Sequence, residues 1–110
     1  MKIISVPLSL DAMHRLDVDN SLPGDLEEIS LTDEAFRQLS NTGLFEELNS
    51  KLGKIIDEHE DESIQGQIDL TASLKIFENI SKKNDIEDLY KINNLIKTAI
   101  DKKKGIFFYF

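Results

Sequence analysis

In the segment IFFYF, residues 106–110, five apolar or aromatic side chains follow one another. An uninterrupted apolar segment aggregates when it is exposed, so it must be buried in the folded protein. We therefore predict a strand covered on both faces. Burial is favoured over an exposed aromatic recognition motif, because this run is also the only good strand signal in the second half of the chain.

A matching signal lies at the other end of the chain. The segment KIISVPL, residues 2–8, is rich in Ile and Val, and Pro7 stands near its end, where a missing backbone donor is tolerated. The two terminal strands are expected to pair and to form one small sheet covered by helices. With 110 residues, of which 40% are apolar, the chain has material for one core, so residues 1–110 are predicted to be a single domain.

Helical signals fill the chain between these strands. Thr32 has the features of an N-cap, because Asp33 and Glu34 follow it in the first turn, and Leu31 and Phe36 occupy the positions of a hydrophobic staple. This first helix is expected to end at Gly43.

Three further helices are predicted. Apolar residues spaced by three and four predict a helix over residues 44–59, with an inward face of Phe45, Leu48, Leu52, Ile55, Ile56 and His59. Thr71 is a candidate cap for the next helix, and Asn84 or Asp85 for the last, which would be terminated by Gly105. The fold class is therefore α+β, mainly helical, with about four helices and a small sheet of the N- and C-terminal strands.

Charge is distributed unevenly along the chain. The net charge is -8, and residues 1–69 hold 16 acidic and five basic residues, a net of -11, while residues 70–110 hold five acidic and eight basic residues, a net of +3. Residues 17–34 contain seven acids and no base around the turn signal Pro23-Gly24, which predicts an exposed connection. A second acidic run covers residues 57–62.

This acidity argues against nucleic acid as a partner, since phosphates are bound by Lys and Arg. We expect instead a basic protein partner, bound by carboxylates that steer and hold it, with a merely solvated acidic surface as the alternative. The candidate partner-binding residues are Asp17, Asp19, Asp25, Glu27, Glu28, Asp57, Glu58, Glu60, Asp61 and Glu62.

No catalytic constellation is apparent. The chain has no cysteine, and neither His14 nor His59 has a second histidine at helical spacing, as a zinc site of the His-Glu-x-x-His kind requires. Neither a glycine-rich phosphate loop nor a serine elbow accompanies the carboxylates. We predict a protein that is not an enzyme and that uses no cofactor and no metal. Residues 1–10 are too short and too polar for a signal peptide or a membrane span, which favours the cytoplasm.

One incomplete metal motif supports an alternative. Asp17, Asp19, Ser21, Asp25 and Glu28 occupy positions one, three, five, nine and twelve of a calcium loop, but position six, which requires glycine, is Leu22. A calcium-responsive binding module is therefore a second hypothesis. A small regulatory or scaffold subunit is the third.

The order of segments resembles that of small bacterial immunity proteins of contact-dependent growth inhibition systems. The resemblance rests on LTDEAFRQLSNTGLFEELNSKLGKIIDEHEDESI at residues 31–64, SLKIFENI at residues 73–80 and KKGIFFYF at residues 103–110. It implies a cytoplasmic protein that binds the toxin domain of its cognate system, often a nuclease with a basic active-site cleft, and blocks it. Such toxins include RNases, some similar to RNase A. A monomer, or a 1:1 heterodimer with the toxin, is expected.

Overall fold

The computed structural model describes residues 2–110 and is an α+β structure with five helices and one four-stranded sheet. The elements, in chain order, are β1 (Lys2–Pro7), α1 (Leu10–Asp17), β2 (Leu26–Leu31), α2 (Asp33–Asn41), α3 (Leu44–Leu52), β3 (Asp61–Gln65), α4 (Gln67–Lys83), α5 (Glu87–Lys102) and β4 (Gly105–Tyr109). The fold class is as predicted, although the expectation of about four helices was one short of the five that residues 2–110 form.

The sheet has the strand order β2-β1-β4-β3, and all neighbouring strands are antiparallel. The predicted pairing of the terminal strands is confirmed, with Ile4 opposite Phe108 in the register of β1 and β4. Strands β2 and β3 form the two edges and were not predicted. Both are short segments that contain two acidic residues each and have exposed positions, so their sequences also suit exposed loops.

The two faces of the sheet differ because side chains alternate along each strand. On the inner face, Ile4, Val6, Ile106 and Phe108 are fully buried beneath α2 to α5. The helix pair α4 and α5 contributes the other large part of this core, including the fully buried Phe77 and Ile96. The terminal strands therefore anchor the main apolar core, as the sequence indicated.

On the outer face the sheet carries α1, a helix that the sequence did not reveal. Ser9 caps it by accepting a hydrogen bond from the backbone N–H of Ala12 at 3.0 Å, and Ala12 is buried. The helix packs against β1, and Ser5, which points to this face, is buried as a result. With eight residues, α1 makes barely two turns, which is too short for its apolar spacing to distinguish a helix from other structures before its packing is known.

The start of α2 is as predicted. The Thr32 hydroxyl accepts a hydrogen bond from the backbone N–H of Ala35 at 3.0 Å, and the staple residues Leu31 and Phe36 are both buried. After α2 the chain turns through Gly43, whose φ of 81° lies in the left-handed region that glycine adopts most readily. The helix α3 begins at the next residue.

The predicted extension of α3 to His59 is wrong. The helix ends at Leu52, because Gly53 takes a left-handed conformation with φ of 64° and the chain leaves the helix axis. The segment after Gly53 places Ile56 in the core but leaves the side chain of Ile55 64% exposed, and His59 is exposed with φ of 68°. Ile55 and His59 are therefore not part of an inward helical face.

Three other predicted boundaries shift. Helix α4 begins at Gln67 after Gly66, so Thr71 lies inside it rather than at its cap. The N-cap of α5 is Ile86, one or two residues beyond the expected Asn84 or Asp85, and Lys103 ends it with φ of 55°. Gly105 starts β4 instead of ending the helix.

Among residues 2–110, no helix combines the length and the apolar character that crossing a membrane would require.

Candidate functional site

A groove of about 330 Å³ opens on the outer face of the sheet and brings together parts of both acidic segments. One wall comes from the end of α1 and the turn after it, with Leu16, Asp17 and Asp19. The opposite wall is formed by β3, with Asp61, Glu62 and Ser63, and Phe107 and Tyr109 of β4 lie between the walls. We call this site the acidic groove.

The sheet register explains how the floor of the acidic groove meets its wall. Asp61 lies opposite Tyr109, and Ser63 lies opposite Phe107, so these four side chains share the outer face. The rings of Phe107 and Tyr109 stack with an interplanar angle of 12° and centroids 6.5 Å apart. The groove thus has an aromatic floor next to carboxylates.

The carboxylates of the acidic groove are free to meet a partner. Asp17, Asp19 and Asp61 are exposed, and none of the three is within 4 Å of a basic group among residues 2–110. Partial burial raises the pKa of the Tyr109 hydroxyl, and the negative charges of Asp61, Asp19 and Asp17 raise it further. Burial disfavours any charged group here, but the three carboxylates by themselves would attract a cation.

Glu62, by contrast, has a structural role. Its carboxylate accepts hydrogen bonds from the backbone N–H of Ser63 at 2.9 Å and of Ile55 at 3.1 Å. Partial burial by itself raises the pKa of Glu62, but the two backbone N–H groups and the nearby Lys54 outweigh it, and the pKa is lowered. Glu62 therefore ties the segment after α3 to the edge of the sheet.

Asp25, another predicted partner-binding residue, also makes its contacts within the chain. Arg15 donates two hydrogen bonds of 2.7 Å to Asp25, whose other neighbour, the backbone N–H of Leu22, donates at 2.8 Å. The Arg15 guanidinium is the main reason that the pKa of Asp25 falls to about 2. Asp25 is 8% exposed, so its carboxylate stabilises the turn before β2 and is not accessible to a partner.

The remaining predicted residues do not enter the acidic groove. Glu28 accepts a hydrogen bond from Ser5 at 2.9 Å, and Glu27 accepts one from Thr98 at 3.2 Å. Asp57 and Glu58 line a different groove, on the helical side of the molecule, and Glu60 is exposed in the turn between the two. The structure therefore unites Asp17, Asp19, Asp61 and Glu62 out of the ten predicted residues.

The calcium hypothesis receives no geometric support. Asp25 is committed to Arg15 and Glu28 to Ser5, which takes two of the five expected ligands out of a common site. Over residues 2–110, no group of three or more His, Asp or Glu side chains is arranged to hold a metal ion.

Sequence reasoning missed Phe107 and Tyr109 as site residues, since the whole run of residues 106–110 was assigned to the core. Successive side chains of a strand point to opposite faces of the sheet. Where one face is partly exposed to solvent, only the side chains on the other face need to be buried. Leu16 was missed together with α1.

Comparison of the chain with protein families, with curated proteins and with solved structures finds no match. Residues 2–110 form an α+β structure in which an acidic groove lies beside the outward-facing aromatic residues of β4.

Proposed function

We propose that this chain is a cytoplasmic immunity protein that binds a basic protein partner at the acidic groove and acts without catalysis. The partner would be the toxin domain of a contact-dependent growth inhibition system, a nuclease whose basic cleft is occluded in a 1:1 complex. One observation carries the proposal: Asp17 and Asp19 of the first acidic segment and Asp61 of the second converge on one groove and have no basic counterpart within 4 Å among residues 2–110.

The chemistry of the acidic groove suits Lys or Arg side chains. Its carboxylates supply charge, and the stacked rings of Phe107 and Tyr109 supply an aromatic surface beside them. Cations bind favourably over aromatic rings, and complementary charge accelerates association. A nuclease cleft that binds phosphate presents Lys and Arg, so it is complementary to such a groove.

Two exposed apolar side chains lie in the segment that contributes Asp17 and Asp19, and they suit a protein interface. Val18, between Asp17 and Asp19, is 69% exposed, and Leu22, in the turn that follows, is 54% exposed. Interfaces commonly surround such apolar contacts with polar and charged residues. The resemblance to immunity proteins supports the same interpretation from the sequence.

The proposal is tested by co-expressing the chain with the C-terminal domain encoded by the reading frame directly upstream of its own. Co-purification and protection of the cells from that domain are expected. The triple variant Asp17→Asn, Asp19→Asn, Asp61→Asn should slow association at low salt by about 10-fold, and the difference from wild type should shrink as salt screens the charges.

The matched control is Glu34→Gln, Glu78→Gln, Asp101→Asn, which removes the same charge from exposed helical positions outside the acidic groove. Its association rate should remain near that of the wild type. Equal association rates for the two triple variants would mean that the interface lies outside the acidic groove. If the upstream domain neither binds this chain nor harms the cell, the immunity proposal is wrong.

A further inference from the structure

The α1 wall of the acidic groove is shaped by the way this helix ends. The backbone N–H of Asp19 donates to the carbonyl of Leu16 at 3.2 Å, and that of Asn20 donates to the carbonyl of Arg15 at 2.8 Å. These two bonds are those of a Schellman motif, in which the residue after the helix cap is left-handed and is usually glycine. Here that residue is Asp19, with φ of 54°. A residue other than glycine keeps this conformation only where its surroundings hold it.

The main support for this helix end is one buried carboxylate. Asp25 accepts two hydrogen bonds of 2.7 Å from the Arg15 guanidinium and a third, of 2.8 Å, from the backbone N–H of Leu22. The backbone carbonyl of Asp25 also accepts a hydrogen bond from the N–H of Leu8 at 2.9 Å. Asp25 therefore fastens residues 18–25 both to the last turn of α1 and to the chain that leaves β1. We call residues 18–25 the Asp25 turn.

The two walls of the acidic groove are held in different ways. Residues 17–24 are all exposed, and Ala12 is the buried residue of α1, so apolar burial contributes little to the α1 wall. The opposite wall belongs to the sheet, because β3 pairs with β4 from Asp61 to Gln65. The separation of the two walls therefore depends largely on the contacts between Arg15 and Asp25.

We infer that Arg15 and Asp25 are positioning residues for partner binding. Neither lines the acidic groove, but together they hold its α1 wall, with Asp17 and Asp19, opposite the wall of β3. As a statement about the partner this rests on the proposed function, and it adds the pair that preorganises the binding site. A groove that is already formed binds with less loss of conformational entropy, so loosening the Asp25 turn should weaken binding.

Removing the charge of Arg15 separates positioning from simple electrostatics. Arg15→Gln takes away a positive charge close to the acidic groove, so Coulomb attraction alone would make a cationic ligand bind more tightly. Positioning predicts the opposite, a loss of affinity of about 10-fold. A titration with acetyl-triarginine amide, followed by the backbone amide signals of Ser63 and Tyr109, measures this affinity. Hydrogen exchange of the Leu22 amide, which donates to Asp25, should become faster as the turn loosens.

The matched control is Lys51→Gln. It also removes the cation of an ion pair, that of Lys51 with Glu47 at 2.8 Å, but it does so on α3 and outside the acidic groove. Its affinity for triarginine should be equal to that of the wild type or slightly higher. If Arg15→Gln binds as tightly as Lys51→Gln, the inference is wrong, even where the Arg15 variant is less stable, and the proposed function is unaffected.

Failure of the proposed function gives a different result. If the wild type shows no saturable shifts at Ser63 and Tyr109, the acidic groove holds no cation, and the inference is wrong together with the proposed site. If Arg15→Gln weakens triarginine binding but the wild-type chain gives no protection from the upstream domain, the inference is supported and the immunity function is wrong.

A conservative variant replaces Arg15→Gln if that protein does not fold. Arg15→Lys keeps the charge, but an ammonium cannot make the two parallel hydrogen bonds that the guanidinium makes to one carboxylate. Positioning predicts that its affinity for triarginine falls by about 3-fold, whereas charge alone predicts no change. An affinity equal to that of the wild type would contradict the inference.

Discussion

The two faces of β4 put neighbouring side chains to different uses. Ile106 and Phe108 point inward and are fully buried in the core, whereas Phe107 and Tyr109 point outward and remain partly exposed in the acidic groove. Phe110, after the strand, joins the inner cluster through edge-on contacts with Phe36, Phe45 and Phe108 at centroid distances of 5.0, 5.5 and 5.7 Å. One aromatic run therefore stabilises the fold and also shapes the candidate binding surface.

The inner and outer faces also differ in what holds them together. The inner face depends on apolar burial under four helices, while the outer face depends on polar contacts, such as Ser5 with Glu28 and Arg15 with Asp25. Apolar burial is insensitive to pH, and ion pairs are not. The outer layer should therefore be the part that responds to acid and to single charge changes.

The largest effect is expected from deleting residues 106–110, which removes material from both faces at once. The loss of a central strand should exceed the ~5 to 15 kcal/mol that stabilises a typical domain, so the truncated protein should be insoluble or lack a cooperative melt. Circular dichroism with thermal melting checks this. A soluble truncation that melts cooperatively would show that the strand is dispensable for the fold.

Substitutions on opposite faces of β4 separate its two roles. Phe108→Ala should reduce the free energy of unfolding by ~3 to 5 kcal/mol, because the ring is fully buried. Phe107→Ala should cost only about 1 kcal/mol and should weaken binding of the basic partner instead. Urea unfolding and a binding titration of both variants make the comparison. Similar unfolding free energies for the two would mean that both faces of the strand are core.

The helical side offers a similar pair on α3 and the segment after it. Leu48→Ala should cost ~2 to 5 kcal/mol of unfolding free energy, since Leu48 is fully buried. Ile55→Ala, at a side chain that is 64% exposed, should change it by less than about 0.5 kcal/mol. Denaturant unfolding of both proteins is the measurement. A large loss of unfolding free energy for Ile55→Ala would mean that Ile55 is buried, as the longer predicted helix requires.

A smaller effect than that of the buried core substitutions is expected at the ion pair of the outer layer. The pKa of Asp25 is lowered from 3.8 to about 2, so the carboxylate stabilises the folded protein above pH 4, and this contribution is lost as the pH falls through 2. Asp25→Asn should therefore lower the melting temperature at pH 7, and its difference from wild type should shrink between pH 4 and pH 2. A difference that stays constant over this range would show that the ion pair contributes nothing.

Much of the inner face was predictable from the sequence, because burial there depends on local patterns. The apolar runs at both ends gave β1 and β4, and the Thr32 cap with its staple gave the start of α2. The edge strands β2 and β3 were not predictable in this way, since their acidic residues also suit an exposed loop. The end of α3 was missed because a glycine within an apolar repeat can also be accommodated in a helix, and the left-handed conformation of Gly53 is seen only in the folded chain.

The candidate site was predictable in composition but not in arrangement. The acidic segments around Asp17 and Asp61 were recognised from charge alone, yet their meeting over Tyr109 depends on α1 and on the register of β3 with β4, neither of which was foreseen. Charge also could not distinguish Asp25, which pairs with Arg15, from Asp19, which has no basic group within 4 Å among residues 2–110.

The carboxylate of Glu62 has a further consequence for the behaviour of the protein at high concentration. Within the described residues 2–110, strand β3 pairs with β4 alone, and edge strands recruit further chains through their unpaired backbone donors. The N–H of Ser63 already donates to Glu62, so a carbonyl oxygen from a neighbouring molecule would find this donor occupied and a negative charge beside it. One donor of β3 is therefore already used within the chain, which makes this edge a poorer template for a further strand.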